Sequence, residues 1–165
     1  IYGKSKLAGE VAVCAVMQKN AIIIRTSWLY SEYSNNFVNT IIRKAQKFDE
    51  LSVVSDQYSS PTNAGDLAKV IIQIINHNKF RNHDQLTQIY HYSSYGVCSW
   101  FEFAREILEL ANIDCQVNPI ETKDYLTAAR RPKYSLLNTD KIVKDFGLEI
   151  PFWKDSLKVS LDNLL

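Results

Sequence analysis

Apolar positions along this chain recur with two alternating spacings. From Lys4 to Lys19 they follow a helical period, which places Leu7, Val11, Cys14 and Ala15 on one face. AIIIR at 21–25 is a short β-branched run, the mark of a buried strand. Asn35 or Asn36 then caps a helix that reaches Phe48, with Phe37, Ile41, Ile42 and Ala45 facing inward. LSVV at 51–54 reads as a second strand, and Thr62 or Asn63 opens an apolar helix running to about Asn78.

Beyond the polar stretch KFRNHDQLT, IYHY at 89–92 alternates as a strand should. Ser99 with Glu102 three residues later forms a capping box and launches a helix through Ala111. QVNPI at 116–120 reads as an edge strand, because Pro119 has no N–H for a central ladder. Thr139 caps a short helix that Gly147 ends, and a last amphipathic helix runs from about Trp153 to the C-terminus. No repeat or low-complexity tract interrupts the series. Alternating strands and helices predict the α/β class.

At 165 residues the chain has the length of one domain, with at most an appendage. Chains of this size bury roughly 68–70% of their unfolded surface and need no disulfides to hold a core. With 46% hydrophobic and 22% charged residues, the composition is that of a soluble globular protein. A net charge of +1 argues against a nucleic-acid or anionic-membrane partner. The longest apolar runs, AIII and VIIQII at 70–75, are too short to span a bilayer, and no signal-peptide pattern opens the chain. Cys14, Cys98 and Cys115 show no C-x-x-C spacing, as expected of reduced thiols. His77, His83 and His91 complete no zinc pattern with them, so no metal site is expected from these residues. A cytoplasmic location is the default.

The opening stretch, IYGKSKLAGE, carries the first candidate chemistry. On a helix, Tyr2 and Lys6 share one face, with Cβ atoms roughly 5–6 Å apart. Reduction of a ketone needs a proton for the carbonyl oxygen as hydride reaches the carbon. A tyrosine hydroxyl alone is a slow acid, and a neighbouring ammonium stabilises the phenolate it leaves behind. The spacing by itself is a weak signal, since chance supplies about 0.7 such pairs in a chain with this many tyrosines and lysines. An exposed tyrosine at an ordinary helix start is the alternative.

The rest of the chain changes the balance. YGKSKLAGE resembles the active-site helix of the extended short-chain dehydrogenases/reductases. RTSWLY at 25–30 with NNF at 35–37, SDQYSSPTNAGDLA at 55–68, YHYSSYGVCSWFEFAREI at 90–107 and ARRPKYSLLNT at 129–139 follow in the order of one branch. That branch is the dTDP-4-dehydrorhamnose reductases, and the resemblance covers essentially the whole chain. It implies the C-terminal part of a Rossmann-type fold plus a small α/β substrate-binding lobe. In those terms, residues 1–58 hold the last strands and helices of the dinucleotide-binding domain. Residues 59–165 are then mainly the substrate lobe, with some segments returning to the Rossmann sheet.

The resemblance makes Tyr2 the proton donor and Lys6 its partner, both also touching the cofactor, NADPH or NADH. It makes Trp28 a substrate contact, a role an indole suits because it offers a flat face and one N–H donor. Packing behind the strand is the competing role for Trp28. Arg130 and Arg131 are adjacent guanidinium forks able to clamp a pyrophosphate, and a solvated pair before Pro132 is the even alternative. Pro61 and Thr62 of the SPT sequence are read as a strand stop and a helix cap. Ser59 stands where the family commonly has glycine, which would strain a turn that needs positive φ. A dTDP-sugar is the implied substrate; Mg2+, as in some members, and a homodimer stay open.

One element is missing. Dinucleotide binding of this type needs a glycine-rich turn after the first strand, and the five glycines, at 3, 9, 65, 96 and 147, form no such fingerprint. The family's catalytic Ser or Thr also lies upstream of the tyrosine. The expectation is therefore a C-terminal reductase fragment, inactive alone. A nucleotide-sugar epimerase or dehydratase, a regulatory subunit like the methionine adenosyltransferase β subunit, and a free-standing nucleotide-sugar binding module are the alternatives.

Overall fold

The computed structural model describes residues 1–81, 86–125 and 131–165. His83 and Arg130 fall outside them. Helix α1 (Tyr2–Val16) leads into strand β1 (Ile22–Arg25) and the short β2 (Leu29–Tyr30). Helix α2 (Phe37–Ala45) and strand β3 (Glu50–Val54) follow, then two short strands, β4 (Tyr58–Ser59) and β5 (Thr62–Asn63). Next come α3 (Ala64–Asn76), α4 (Asn78–Arg81), β6 (Gln88–His91), β7 (Cys98–Ser99) and α5 (Trp100–Leu110). The chain closes with β8 (Gln116–Ile120), a 3-10 turn at Thr122–Asp124, α6 (Asp140–Phe146) and α7 (Trp153–Leu164).

Three of the four strand pairings are parallel. β1 runs beside β6 from Ile22 opposite Gln88 to Arg25 opposite His91. β3 runs beside β8 from Glu50 opposite Gln116 to Val54 opposite Ile120. In a two-stranded pair each strand is an edge, so Pro119 opposite Val53 costs the ladder little. β2 pairs in parallel with β5, and β4 pairs antiparallel with β7.

Side chains divide between two cores. The first lies among α2, α5, α7 and β3, where Val38, Phe103, Ile107 and Leu157 are fully buried. Each such side chain contributes about 1.5–3 kcal/mol by leaving water. The second gathers Val70 and Ile74 of α3, Tyr90 of β6 and Ile142 and Phe146 of α6, with Ile22 and Ile24 of β1 packed against it. Alternation along β1 leaves Ile23 to the opposite face.

Local chemistry sets the helix ends. Asn36 accepts the Asn39 N–H at 3.2 Å, and Asn63 accepts the Asp66 N–H at 3.1 Å. The Ser99–Glu102 capping box is present in both directions. Gly147 closes α6 in the left-handed region at φ 62°. Of the two residues expected to cap α3, Asn63 does so, and at α6 the side-chain bond comes from the residue before the expected Thr139. Thr62 lies in β5 and leaves the α3 cap to Asn63, while Asn138 rather than Thr139 accepts the Asp140 N–H, at 2.8 Å.

Ser59 needs no positive φ: it lies in β4, fully buried, and its Oγ donates to the Ser135 carbonyl at 3.1 Å. The expected apolar face of α1 meets no core. The helix buries none of its residues, and Leu7 and Val11 are 57% and 61% exposed.

Gly96 lies beside Phe152 and Trp153 at a point with no room for a side chain. Its φ is +94°, and a Cβ there would stand 2.4 Å from Cε2 of Phe152. The flanking backbone is fixed, with the Tyr95 N–H on the Pro151 carbonyl at 2.8 Å and the Trp153 N–H on the Tyr95 carbonyl at 3.0 Å. Gly96→Ala therefore combines backbone strain with overpacking and should cost on the order of 2–4 kcal/mol. Urea unfolding measures it; a loss below about 0.5 kcal/mol would show that Phe152 moves aside freely.

Candidate active site

Helix α1 carries Tyr2 and Lys6 on one face, with Lys6 Nζ 5.6 Å from the centroid of the Tyr2 ring. Both side chains are exposed, so a reactant can reach them. Three other tyrosines, Tyr30, Tyr90 and Tyr92, are buried. Burial raises the hydroxyl pKa of each, to about 12 for Tyr92, and keeps them neutral and out of acid–base work. Burial likewise pushes the Cys98 thiol up, which suits an inert core cysteine.

A charged fork ties α1 to the sheet. Arg25, the last residue of β1, donates from Nε to Glu10 Oε1 at 2.8 Å and from Nη2 to Oε2 at 2.6 Å. Hydrogen bonding to Arg25 holds the Glu10 carboxyl below its ordinary value.

Just past Arg25, Trp28 occupies the left-handed region at φ +44°. A tryptophan there costs about 1–2 kcal/mol, and the surroundings over-determine it. Ser27 Oγ donates to the Ser60 carbonyl at 2.8 Å, and the Thr62 N–H donates to the Trp28 carbonyl at 3.2 Å. The indole of Trp28 lies flat on that of Trp100, with centroids 3.5 Å apart and planes 15° apart. Trp28 is half-buried, so both roles expected for it, packing and contact, have a surface to act through.

Arg131 opens onto a cavity of about 270 Å³ that it lines with Lys44, Gln57, Phe37, Trp100 and Tyr125. Its position follows from the segment after it, which is zipped onto β4. The Tyr58 N–H donates to the Lys133 carbonyl at 2.8 Å, and the Ser135 N–H donates to the Tyr58 carbonyl at 2.9 Å. The Thr122 N–H and hydroxyl donate to Asp56 Oδ1 at 2.8 and 2.5 Å, and Gln57 Nε2 donates to Thr122 Oγ1 at 3.0 Å. Two cations, an amide and three aromatic rings around one cavity suit an anionic group attached to a flat ring.

The expected site residues therefore fall into separate places. Tyr2 and Lys6 are together on α1, Trp28 lies against Trp100, and Arg131 is in the cavity; none of Tyr2, Lys6 and Trp28 lines that cavity. Trp100, Lys44, Gln57 and Tyr125 are additions from the structure. Among the described residues no three His, Cys, Asp or Glu side chains gather into a group that could hold a metal ion. No helix among the described residues is long and apolar enough to cross a membrane.

Parallel strands joined through helices place the chain among Rossmann-type α/β folds. More narrowly, the chain belongs to the RmlD substrate binding domain family, which it matches over residues 1–165. It is 38% identical over 162 residues to the dTDP-4-dehydrorhamnose reductase of Sinorhizobium fredii, spanning 96% of this chain and 54% of that protein. Identity to the dTDP-4-dehydrorhamnose reductase of Aggregatibacter actinomycetemcomitans is 41%, over 96% of this chain and 55% of the relative. The solved dTDP-4-dehydrorhamnose reductase of Bacillus anthracis, in complex with NADP, aligns with a TM-score of 0.88 at 39% identity, over 99% of this chain and 55% of that one. A UDP-galactose 4-epimerase structure aligns at 0.76, covering 99% of this chain and 52% of that one, but its 17% identity makes that a likeness of fold alone. The chain spans about half the length of the curated relatives it matches.

The Glu10–Arg25 fork gives a pH test. Because the folded Glu10 value is depressed, the fork's contribution is complete above the unfolded carboxylate value, roughly 4. It is lost as pH falls through the lower folded value. Glu10→Gln should flatten that acid limb in thermal melts followed between pH 5 and pH 2, with little change at pH 7 beyond the missing ion pair. An unchanged acid limb would mean that the fork does not anchor α1.

Proposed function

We propose that this chain is the C-terminal part of an NADPH-dependent dTDP-4-dehydrorhamnose reductase, which turns dTDP-4-dehydro-L-rhamnose into dTDP-L-rhamnose for surface polysaccharide. The single observation that carries the reading is the Tyr2–Lys6 pair, exposed on one helix face in a chain of this family. The Tyr2 hydroxyl gives its proton to the substrate's C4 oxygen. Lys6 stabilises the phenolate left behind and holds a ribose hydroxyl of the cofactor. When bound, the reduced nicotinamide supplies hydride chemistry. Trp28 presents its free face to the deoxysugar. Arg131 and Lys44 oppose the two negative phosphates across the cavity, with Phe37, Trp100 and Tyr125 around the base. Arg130 is kept as the second fork of the clamp.

Two features support a part rather than a whole. Relatives are about twice as long, and α1 buries none of its residues. Residues 1–58 then carry the proton-transfer helix and closing strands of the dinucleotide domain. Residues 59–165 form mainly the substrate lobe, with α3, β6 and α6 returning to the β1 side. A cytoplasmic enzyme, with no membrane or nucleic-acid partner, completes the reading.

The test is the longer polypeptide, upstream half included, assayed by loss of reduced-nicotinamide absorbance with dTDP-4-dehydro-L-rhamnose. Tyr2→Phe should lower kcat by about 10²- to 10⁴-fold, and the 165-residue chain alone should show no turnover. Absence of oxidation by the folded longer protein would point to a binding or regulatory subunit. Turnover by the short chain would overturn the part-protein reading. In the same assay Arg131→Ala should raise KM by about 10- to 100-fold, the cost of one charge-assisted phosphate contact; an unmoved KM would remove Arg131 from the clamp.

A further inference from the structure

Trp100 stands between two regions that no other described ring joins. One face of its indole carries Trp28 at 3.5 Å, while Phe37 closes on it at 4.6 Å with planes 51° apart. The same side chain lines the cavity that holds Arg131, Lys44 and Gln57. It is half-buried, and it is the first residue of α5, directly after Ser99 of the capping box. The box fixes the backbone from which the ring projects, because both the Ser99 N–H and its hydroxyl donate to Glu102 Oε2, at 2.6 and 2.9 Å. Trp28, by contrast, sits on a backbone conformation that L-residues rarely adopt. One partner of the stack is anchored and the other is strained.

We infer that Trp100 is a positioning residue for Trp28: it holds the Trp28 indole at the sugar-facing orientation and makes that orientation share a wall with the nucleotide cavity. The inference rests on the reductase reading above, in which Trp28 meets the sugar. A ring that is only cavity wall would affect nucleotide affinity and nothing else. A ring that sets Trp28 must also affect kcat, because the sugar carbonyl has to meet the proton donor at the correct angle. Its effect on kcat must also vanish once Trp28 is gone.

The experiment is a double-mutant cycle in the longer reductase polypeptide, with kcat and KM measured for dTDP-4-dehydro-L-rhamnose and far-UV exciton circular dichroism recorded on each variant. Trp100→Leu should abolish the couplet of the stacked indoles and lower kcat/KM by about 10- to 100-fold, with kcat falling as well as KM rising. In a Trp28→Leu background the same change should move kcat by less than about twofold, with any remaining loss confined to KM through the cavity wall. Trp100→Phe keeps a flat face and should recover most of the loss. Should Trp100→Leu fail to fold, Trp100→Met, which also lacks a flat face, crossed with Trp28→Leu closes the same cycle.

Additive losses in kcat across the cycle, or a Trp100 effect confined to KM, would overturn the inference while leaving Trp28 as a substrate contact. If Trp28→Leu alone leaves kcat and KM unchanged in an active enzyme, the role of Trp28 in the reductase reading falls, and the inference falls with it.

Discussion

Two parallel strand ends of this molecule meet through one buried serine. Ser60 is fully buried; its hydroxyl donates to the Ser94 carbonyl at 2.6 Å, and its own carbonyl accepts from the Ser27 hydroxyl at 2.8 Å. Ser27 and Ser94 follow the C-terminal ends of β1 and β6, so this residue stitches together the points where two parallel strands stop. Backbone groups that end a strand are unpaired, and burial would make each expensive without a partner. Small hydroxyl side chains solve this because they fit where a larger polar residue would not. With that stitch in place, the strand ends cannot drift, and Trp28, one residue past Ser27, has a fixed point to turn from.

Parallel strand ends are where open α/β sheets gather ligands, and the candidate site conforms. Helix α1, with Tyr2 and Lys6, feeds β1, the indole pair follows β1, and the cavity cations come from α2 and the segment after residue 130. Each participant is held by something other than the chemistry it would serve. Arg131 depends on backbone zipped to β4, Trp28 on Ser60 and Thr62, and α1 on the Arg25 fork.

The longer elements were legible because their signals are local. α2, α3, α5, α6 and α7 follow from period and caps, and β1, β3, β6 and β8 from short apolar or alternating runs. β2, β4, β5 and β7 were not, since two residues carry no period and their pairing partners are 33 or more positions away in sequence. The expected apolar face of α1 contacts no core, because periodicity tells which side wants burial and not what covers it. Among the site residues, the positions of Tyr2 and Lys6 on one face followed from helix geometry alone. Trp100 stood in plain view after a capping box, but no sequence rule links it to Trp28 seventy-two positions earlier. Glu10 and Arg25 each end or begin a stretch whose pattern was noticed, and their pairing is likewise a matter of topology rather than of spacing.

A helix of 15 residues that buries nothing sits near the length at which isolated helices are marginal in water. Such an element has little local free energy of its own, so its amides should exchange with solvent far sooner than those of α5 or α7. By that physics the segment bearing Tyr2 opens before the elements of either core. Its rigidity is borrowed from whatever rests upon it, which makes order at Tyr2 and Lys6 a late event in folding and a sensitive report of assembly.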